Sequence, residues 1–236
     1  MTSGFAPCSE SRPVFESMLQ GSQRPQTTFR GVLNMSLRFY FLFSFALTTL
    51  TAILNTSHAK ETTNTKSIVL AGGCFWCIES DYEKLDGIVS VVSGYSGGHT
   101  KNPTYKQVSA GNSGHIEVVE VTYKPEVIKH SEILDFFWHH IDPTRNDGQF
   151  CDHGSQYRPA IFYKNESEKQ AILKSARHIE RTKTFKEPLK VEFIQASTFY
   201  PAEDYHQDYY KKNPLRYKYY RYSCGRDARV DELWGK

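Results

Sequence analysis

The sequence predicts an α+β domain, an α/β two-layer sandwich on a mixed sheet, and three observations lead there. Short β-branched runs alternate with amphipathic segments from Ser67 to about Ala196, and long polar loops separate them. A chain of 236 residues with 39% apolar and 14% aromatic content also buries one sizeable core, while being long for a single domain, so one domain plus extra sequence is expected.

Taken in order, Ser67 to Ala71 is an apolar strand that runs into Gly72-Gly73, and Phe75 to Leu85 has helical spacing. Ile88 to Ser93 is a second strand, ended by the glycine-rich turn Gly94-Tyr95-Ser96-Gly97-Gly98. His115 to Tyr123 alternates as a strand, and Ser131 to Ile141 is a helix with Ser131 as N-cap and Ile133, Leu134, Phe137, Trp138 and Ile141 on one stripe. Asp142 to Tyr157 reads as a polar loop and Arg158 to Tyr163 as a strand. Asn165 caps a helix carrying Ile172, Ala176 and Ile179, and Leu189 to Ala196 is the last strand. From Phe199 to Lys236 the chain is rich in Tyr, Lys and Arg with weak periodicity, which predicts a long irregular tail packed over the domain.

The extra sequence is N-terminal. Arg38, the apolar run Phe39 to Leu54 and the small-x-Ala ending Ser57-His58-Ala59 are the three parts of a secretory signal, and the run is shorter than the ~20 residues of a bilayer span. We therefore divide the chain into a leader or mis-assigned start over 1–34, a signal peptide over 35–59 with Met35 as initiator, and a domain over 60–236. The protein is then exported, periplasmic or secreted, with contact to a membrane only if the signal segment stays uncleaved as an anchor. Removing Arg12, Arg24, Arg30 and Arg38 with the acids Glu10 and Glu16 leaves 25 basic and 24 acidic residues, a balance that excludes polyanion binding. RYKYYRYSCGR interleaves bases and aromatics as single-strand binders do, but an exported, balanced chain argues for no nucleic acid. Cys74, Cys77, Cys151 and Cys224 remain, an even set suited to an oxidising compartment, with three full pairings open.

Chemistry concentrates at GGCFWC, where Cys74 falls at the start of a helix. Unpaired N–H groups and a partial positive charge there favour thiolate over thiol, and the two glycines let the backbone turn sharply and leave the sulfur uncovered. C-x-x-C has three readings: a redox pair, half a zinc site, or a nucleophile with an incidental neighbour. No second C-x-x-C or H-x-x-x-H completes a zinc site, and the bulky Phe75-Trp76 filling suits an apolar substrate group better than a protein disulfide. Strand alternation puts Glu117 on the face of Val119, Val121 and Tyr123, where desolvation raises its carboxyl; taken alone it reads either as a neutral general acid near the thiolate or as a solvated or salt-bridged strand residue. His139-His140 closes a helix and is read as a dipole contact, and His153 and His206 as hydrogen-bonding structure.

Together GGCFWC, GYSGG, NPTY, GHIEVVEV, DHGSQYRP and the AEDYHQDY-KKNP segment resemble peptide methionine sulfoxide reductase A, in order, from about Ser67 to Gly225. The resemblance implies a ferredoxin-like fold of that family and thiol-dependent reduction of methionine-S-sulfoxide, peptidyl and free, with no metal or organic cofactor. It makes Cys74 the nucleophile, Phe75 and Trp76 the wall for the S-methyl group, and Glu117 the acid at the sulfoxide oxygen, helped by Tyr105 and Tyr157, with Asp152 supporting the pocket. A Cys74 sulfenic acid then needs a second thiol. Cys224 is the first candidate, Cys151 the second and Cys77 the third; an insertion-like YKYYRY before Cys224, a cysteine at 77 and a cysteine directly before Asp152 depart from the common pattern. The implied partners are oxidised methionine and a thioredoxin-like reductant, and the protein is expected to be a monomer. The alternatives are a thiol-disulfide oxidoreductase using Cys74 and Cys77, and a secreted binding module stapled by all four cysteines.

N-terminal sequencing of the exported protein is expected to begin at Lys60; a mature chain beginning before Met35 refutes the assigned start.

Overall fold

The structure, a computed structural model, describes residues 64–235. The leader and signal segment assigned from sequence lie outside the described residues. Strand β1 (Lys66–Ala71) leads through Gly72 and Gly73 into helix α1 (Phe75–Tyr82), followed by β2 (Ile88–Ser96), α2 (Tyr105–Ser109), β3 (Ile116–Tyr123) and α3 (His130–Trp138). A hairpin of β4 (Gly148–Gln149) and β5 (Asp152–His153) and a 3-10 turn at Ser155–Tyr157 precede β6 (Ala160–Tyr163), α4 (Glu166–Thr182), β7 (Glu192–Gln195) and β8 (Tyr200–Pro201). The chain ends in α5 (Tyr209–Lys212), α6 (Pro214–Ser223) and α7 (Arg226–Trp234).

Six strands form one sheet in the order β7-β6-β1-β3-β2-β8, antiparallel except for the β6–β7 pair, so the sheet is mixed as the interleaved pattern predicts. Register builds the core: Ile68 lies opposite Val121 and Leu70 opposite Val119, with Val91 beyond Val121 on the other side. On one face these residues join Ile78, Tyr82, Ile133, Phe137, Trp138, Ile172 and Ile179 from α1, α3 and α4 in a single buried cluster. Each such side chain contributes about 1.5–3 kcal/mol through burial, which is why the helices lie on this face. Val69, Ala71, Ile116, Val118, Ala160 and Phe162 point the other way into a smaller cluster, as alternation requires.

Several elements differ from their sequence expectation. The glycine-rich segment from Gly94 is strand as far as Ser96, because β8 pairs with Gly94 and Tyr95 from the outer side. A Cβ at Gly94 would lie 2.4 Å from the Phe199 ring, so glycine serves the close approach of β8 there, and the turn begins only at Gly97, φ +83°. Helix α3 starts two residues before the expected cap: Lys129 is the N-cap residue, and its N–H donates to the Glu132 carboxylate at 2.8 Å. Asn165 does cap α4, its side chain accepting from the Glu168 N–H at 3.0 Å. The polar loop 142–157 is tightly built, with the Gln149 side chain accepting from Asp142 N and donating to Asp142 O, both at 2.8 Å.

The C-terminal tail is helical rather than irregular. Its periodicity is weak because α6 and α7 each bury only a narrow edge, through Tyr217 on one and Arg226, Val230 and Leu233 on the other. Glu79 of α1 ties the segment down, accepting from the Asp208 N–H at 2.8 Å and from Ser93 Oγ at 2.9 Å. Burial is the larger effect on that carboxyl and pushes it up to about 7.

Gly73 sets the path from β1 to α1 with φ +87°, and a Cβ there would lie 2.6 Å from the Gln149 Cβ. Gly73→Ala is expected to cost about 1–3 kcal/mol in urea unfolding; an unchanged midpoint means that the turn relaxes without strain.

Candidate active site

The β1–β3 register pairs Leu70 with Val119, so two residues further on the Gly72 turn comes level with Glu117. Cys74 is the N-cap residue of α1, and the next N–H, that of Phe75, donates to Glu117 Oε2 at 3.1 Å. A helix N-terminus and a carboxyl from the centre of the sheet thus meet beside one sulfur. Glu117 is 0% exposed, and burial pushes its carboxyl well above the ordinary range, opposed by the Phe75 hydrogen bond. Its Oε1 has no hydrogen-bond partner among the described residues. Glu117 therefore lies buried on the apolar face that strand alternation predicts, with its carboxyl raised.

Cys74 is also 0% exposed, which corrects the expectation of an uncovered sulfur. Gly73 opens the turn, but Cys74 lies in the same buried cluster as Phe75, Trp76 and Tyr105. Cys77, one turn along α1, hydrogen-bonds to Cys74, and that bond together with burial raises the Cys77 thiol well above its usual value.

Phe75 and Trp76, directly after Cys74, pack among further aromatic rings. The Phe75 ring lies 6.0 Å from Tyr95, 6.4 Å from Tyr105 and 4.9 Å from His206, and Trp76 stacks on Tyr209 at 3.6 Å. Tyr105 opens α2, where Glu203 holds it by accepting from its N–H at 2.8 Å while also accepting from Tyr95 O–H at 2.8 Å. His206 accepts from the Trp76 indole N–H at 3.1 Å, which fixes the ring plane. Burial lowers His206 to about 4, partly opposed by Glu203, so the imidazole is neutral and free to accept. Tyr157 enters from the 3-10 turn, which packs against β3.

Asp152 is 1% exposed in β5, with Tyr220 O–H donating to Oδ2 at 2.6 Å. Burial pushes its carboxyl up, against the hydrogen bond from Tyr220, the Arg226 charge and the Cys74 N–H. Beside it, Cys151 and Cys224 form a disulfide, while Cys74 and Cys77 are thiols outside any disulfide. The first and second candidates for resolving thiol are thus bonded to each other, and one bridge among the described residues, with Cys74 and Cys77 outside it, does not favour a module stapled by all four cysteines.

The structure gathers Cys74, Phe75, Trp76, Tyr105, Glu117, Asp152 and Tyr157 from five separate segments, and it adds residues the sequence left unassigned: Tyr95, Glu203, Tyr209, Tyr220 and Arg226. Glu203 and Tyr209 had a sequence signal in their place in AEDYHQDY, and Tyr95 in GYSGG. His139 and His140 bond the last-turn carbonyls of Asp135 and Phe136, each at 2.7 Å, as a dipole contact requires. Among the described residues two groups have metal-binding spacing, Cys151 with Asp152 and Cys224, and Glu79 with Glu83 and Asp208. The first is closed by its disulfide, and Lys211 Nζ occupies the second at 2.7 Å from Glu83 and 2.8 Å from Asp208.

The raised Glu117 has a signature in stability. Unfolded, the carboxyl loses its proton near 4.5; folded, it keeps the proton well above that, so the folded state holds the extra proton and loses stability as pH rises between the two values. Glu117→Gln removes this slope of up to about 1.4 kcal/mol per pH unit. The variant is expected to gain on the native protein as pH rises through neutrality and to match it below the carboxylate range; parallel urea midpoints across that window contradict a protonated Glu117.

Comparison with known proteins agrees with this geometry. Residues 66–236 match the family model described as peptide methionine sulfoxide reductase. The chain is 52% identical over 198 residues to the peptide methionine sulfoxide reductase MsrA/MsrB of Vibrio cholerae, covering 81% of this chain and 52% of that protein, so it spans about half the length of that relative. It is 49% identical over 168 residues to the peptide methionine sulfoxide reductase MsrA of Halalkalibacterium halodurans, covering 71% of this chain and 96% of that one. Among solved structures it resembles Mxr1 from Saccharomyces cerevisiae in reduced form, with TM-score 0.60 and 34% identity over 64% of this chain and 86% of the other. Methionine sulfoxide reductase A of Corynebacterium diphtheriae follows, with TM-score 0.57 and 30% identity over 66% of this chain and 78% of the other. A buried cysteine at a helix start, with a sheet carboxyl bonded to the next N–H and aromatic residues in the same buried cluster, thus stands in a chain that belongs to the peptide methionine sulfoxide reductase family, in its A type.

Proposed function

We propose that the protein reduces methionine-S-sulfoxide, in proteins and as the free amino acid, to methionine, with Cys74 as nucleophile and Glu117 as proton donor. The observation that carries this reading is the Phe75 N–H to Glu117 hydrogen bond, which fixes a protonated carboxyl beside the cysteine at the start of α1. A sulfoxide oxygen is a poor leaving group until it is protonated, and an acid kept neutral by burial is suited to supply that proton. Phe75 and Trp76 provide apolar walls for the S-methyl group, the Tyr105 and Tyr157 hydroxyls provide donors at the oxygen, and Asp152 supports the turn.

The Cys74 thiolate attacks the sulfoxide sulfur, the oxygen takes a proton from Glu117, and methionine leaves Cys74 as a sulfenic acid. Cys224 then attacks the Cys74 sulfur and water departs, giving a Cys74–Cys224 disulfide. Cys151 displaces Cys74 by thiol–disulfide exchange, which returns Cys74 to the thiol and leaves Cys151–Cys224. The bonded Cys151–Cys224 pair, with Cys74 and Cys77 left as thiols, fits the end of that sequence. An external dithiol of thioredoxin-like chemistry closes the cycle. The hydrogen bond to Cys74 and burial hold the Cys77 thiol well above its usual value, which disfavours the thiol-disulfide oxidoreductase alternative using Cys74 and Cys77 as a redox pair.

Export is part of the same reading, supported by the signal-like segment 35–59 and by the disulfide. No helix among the described residues is long and apolar enough to cross a membrane.

With a dithiol reductant, the native protein is expected to consume a methionine sulfoxide peptide and Cys74→Ser to be inactive. Cys151→Ser and Cys224→Ser are each expected to release one methionine per chain at near-native rate but to lose most steady-state turnover. A Cys74→Ser protein that still turns over overturns the assignment.

A further inference from the structure

The geometry points to Arg226 as a positioning residue for the nucleophile: its guanidinium clamps the Gly72–Cys74 turn and supplies the positive charge beneath the thiol pair. The inference deepens the proposed reaction and rests on that reading for its kinetic arm only.

Arg226 is 2% exposed, yet among the described residues it makes no ion pair with a carboxylate. A buried cation with no carboxylate at ion-pair distance is costly, and Asp152 and Asp81 act on it only from further away, so what surrounds it is informative. Nη2 donates to Gly72 O at 2.8 Å and Nη1 to His140 O at 3.0 Å, and the guanidinium lies over the Phe150 ring at 4.3 Å. Gly72 is two residues before Cys74, and Phe150 directly precedes Cys151. Arg226 thereby joins the nucleophile turn, the end of α3 and the disulfide hairpin. A Cβ on Gly73 would lie 3.2 Å from Nη2, which shows how closely the side chain underlies the turn.

Hydrogen bonds to two carbonyls leave the net charge of Arg226 in place. The groups facing the thiol pair are Glu117 from β3, Asp152 from β5, Tyr217 and Arg221 from α6, and Arg226 from α7. Glu117 is held neutral, and Arg221 is committed to Asp81 at 2.9 Å and Asp227 at 2.6 Å. Arg226 is the cation left to favour an anionic sulfur, and it acts on the Cys77 thiol in that sense. Its position follows from the chain: Cys224 caps α6, Gly225 turns with φ +69° and Arg226 opens α7, so the Cys151–Cys224 bond anchors the arginine two residues away.

Two variants test the role. Ultraviolet titration of thiolate, taken as the difference from the same background with Cys74→Ser, reads Cys74 without any substrate. Arg226→Gln is expected to raise its midpoint by about one pH unit, a tenfold loss of thiolate below the midpoint. The pH profile of single-turnover methionine release should move by the same amount while KM changes little. Arg226→Lys restores the charge but cannot hold both carbonyls, so the midpoint should return towards the native value while the plateau rate stays several-fold low. An Arg226→Gln midpoint equal to the native one, or a loss of rate uniform across pH, overturns the proposal. Should Arg226→Gln not fold, a native plateau in Arg226→Lys overturns it. A native protein inactive on methionine sulfoxide sinks the proposed reaction instead and leaves the thiolate titration standing.

Discussion

The hydrogen bond from the Phe75 N–H to Glu117 Oε2 joins the two halves of this domain at the place where chemistry occurs. Helix α1 needs an acceptor for its first N–H groups, and the residue at the N-cap is a cysteine whose side chain makes no capping bond. A carboxyl from the sheet supplies the acceptor. Because that carboxyl lies in the middle of the apolar face, it does so as a neutral acid. Local backbone satisfaction and a supply of protons are therefore met by one side chain, whose position depends on the β1–β3 register. A slip of one residue would turn Glu117 to the opposite face and leave the helix start without it.

Outward from that bond, each further shell is held by the C-terminal third of the chain. Glu203 joins Tyr95 to Tyr105, His206 orients Trp76, Tyr209 stacks on Trp76, Tyr220 reaches Asp152, and Arg226 holds the Gly72 carbonyl. The segment that lacks a clear amphipathic pattern is thus the segment that assembles the site. Its aromatic and basic residues pack edge-on against functional side chains rather than forming a core stripe, and this is why weak periodicity coexists with three helices. Placing Cys224 and Arg226 on consecutive turns of this segment links the disulfide to the backbone under the nucleophile.

What the sequence determined by itself was the chemistry that is local along the chain. Strand alternation put Glu117 among Val119, Val121 and Tyr123, a two-glycine turn put Cys74 at a helix start, and β-branched runs placed the central strands to within a few residues. These depend on neighbours at fixed spacing, which a linear reading resolves. The tertiary structure decided what depends on long-range approach: β2 continues through Gly94 because β8 lies against it, α3 takes Lys129 as its cap, and Cys74 is covered rather than open. It also decided which thiols pair. Cys151 and Cys224 are separated by 73 residues, and only the packing of α6 against the β4–β5 hairpin brings their sulfurs together, a contact no spacing rule encodes.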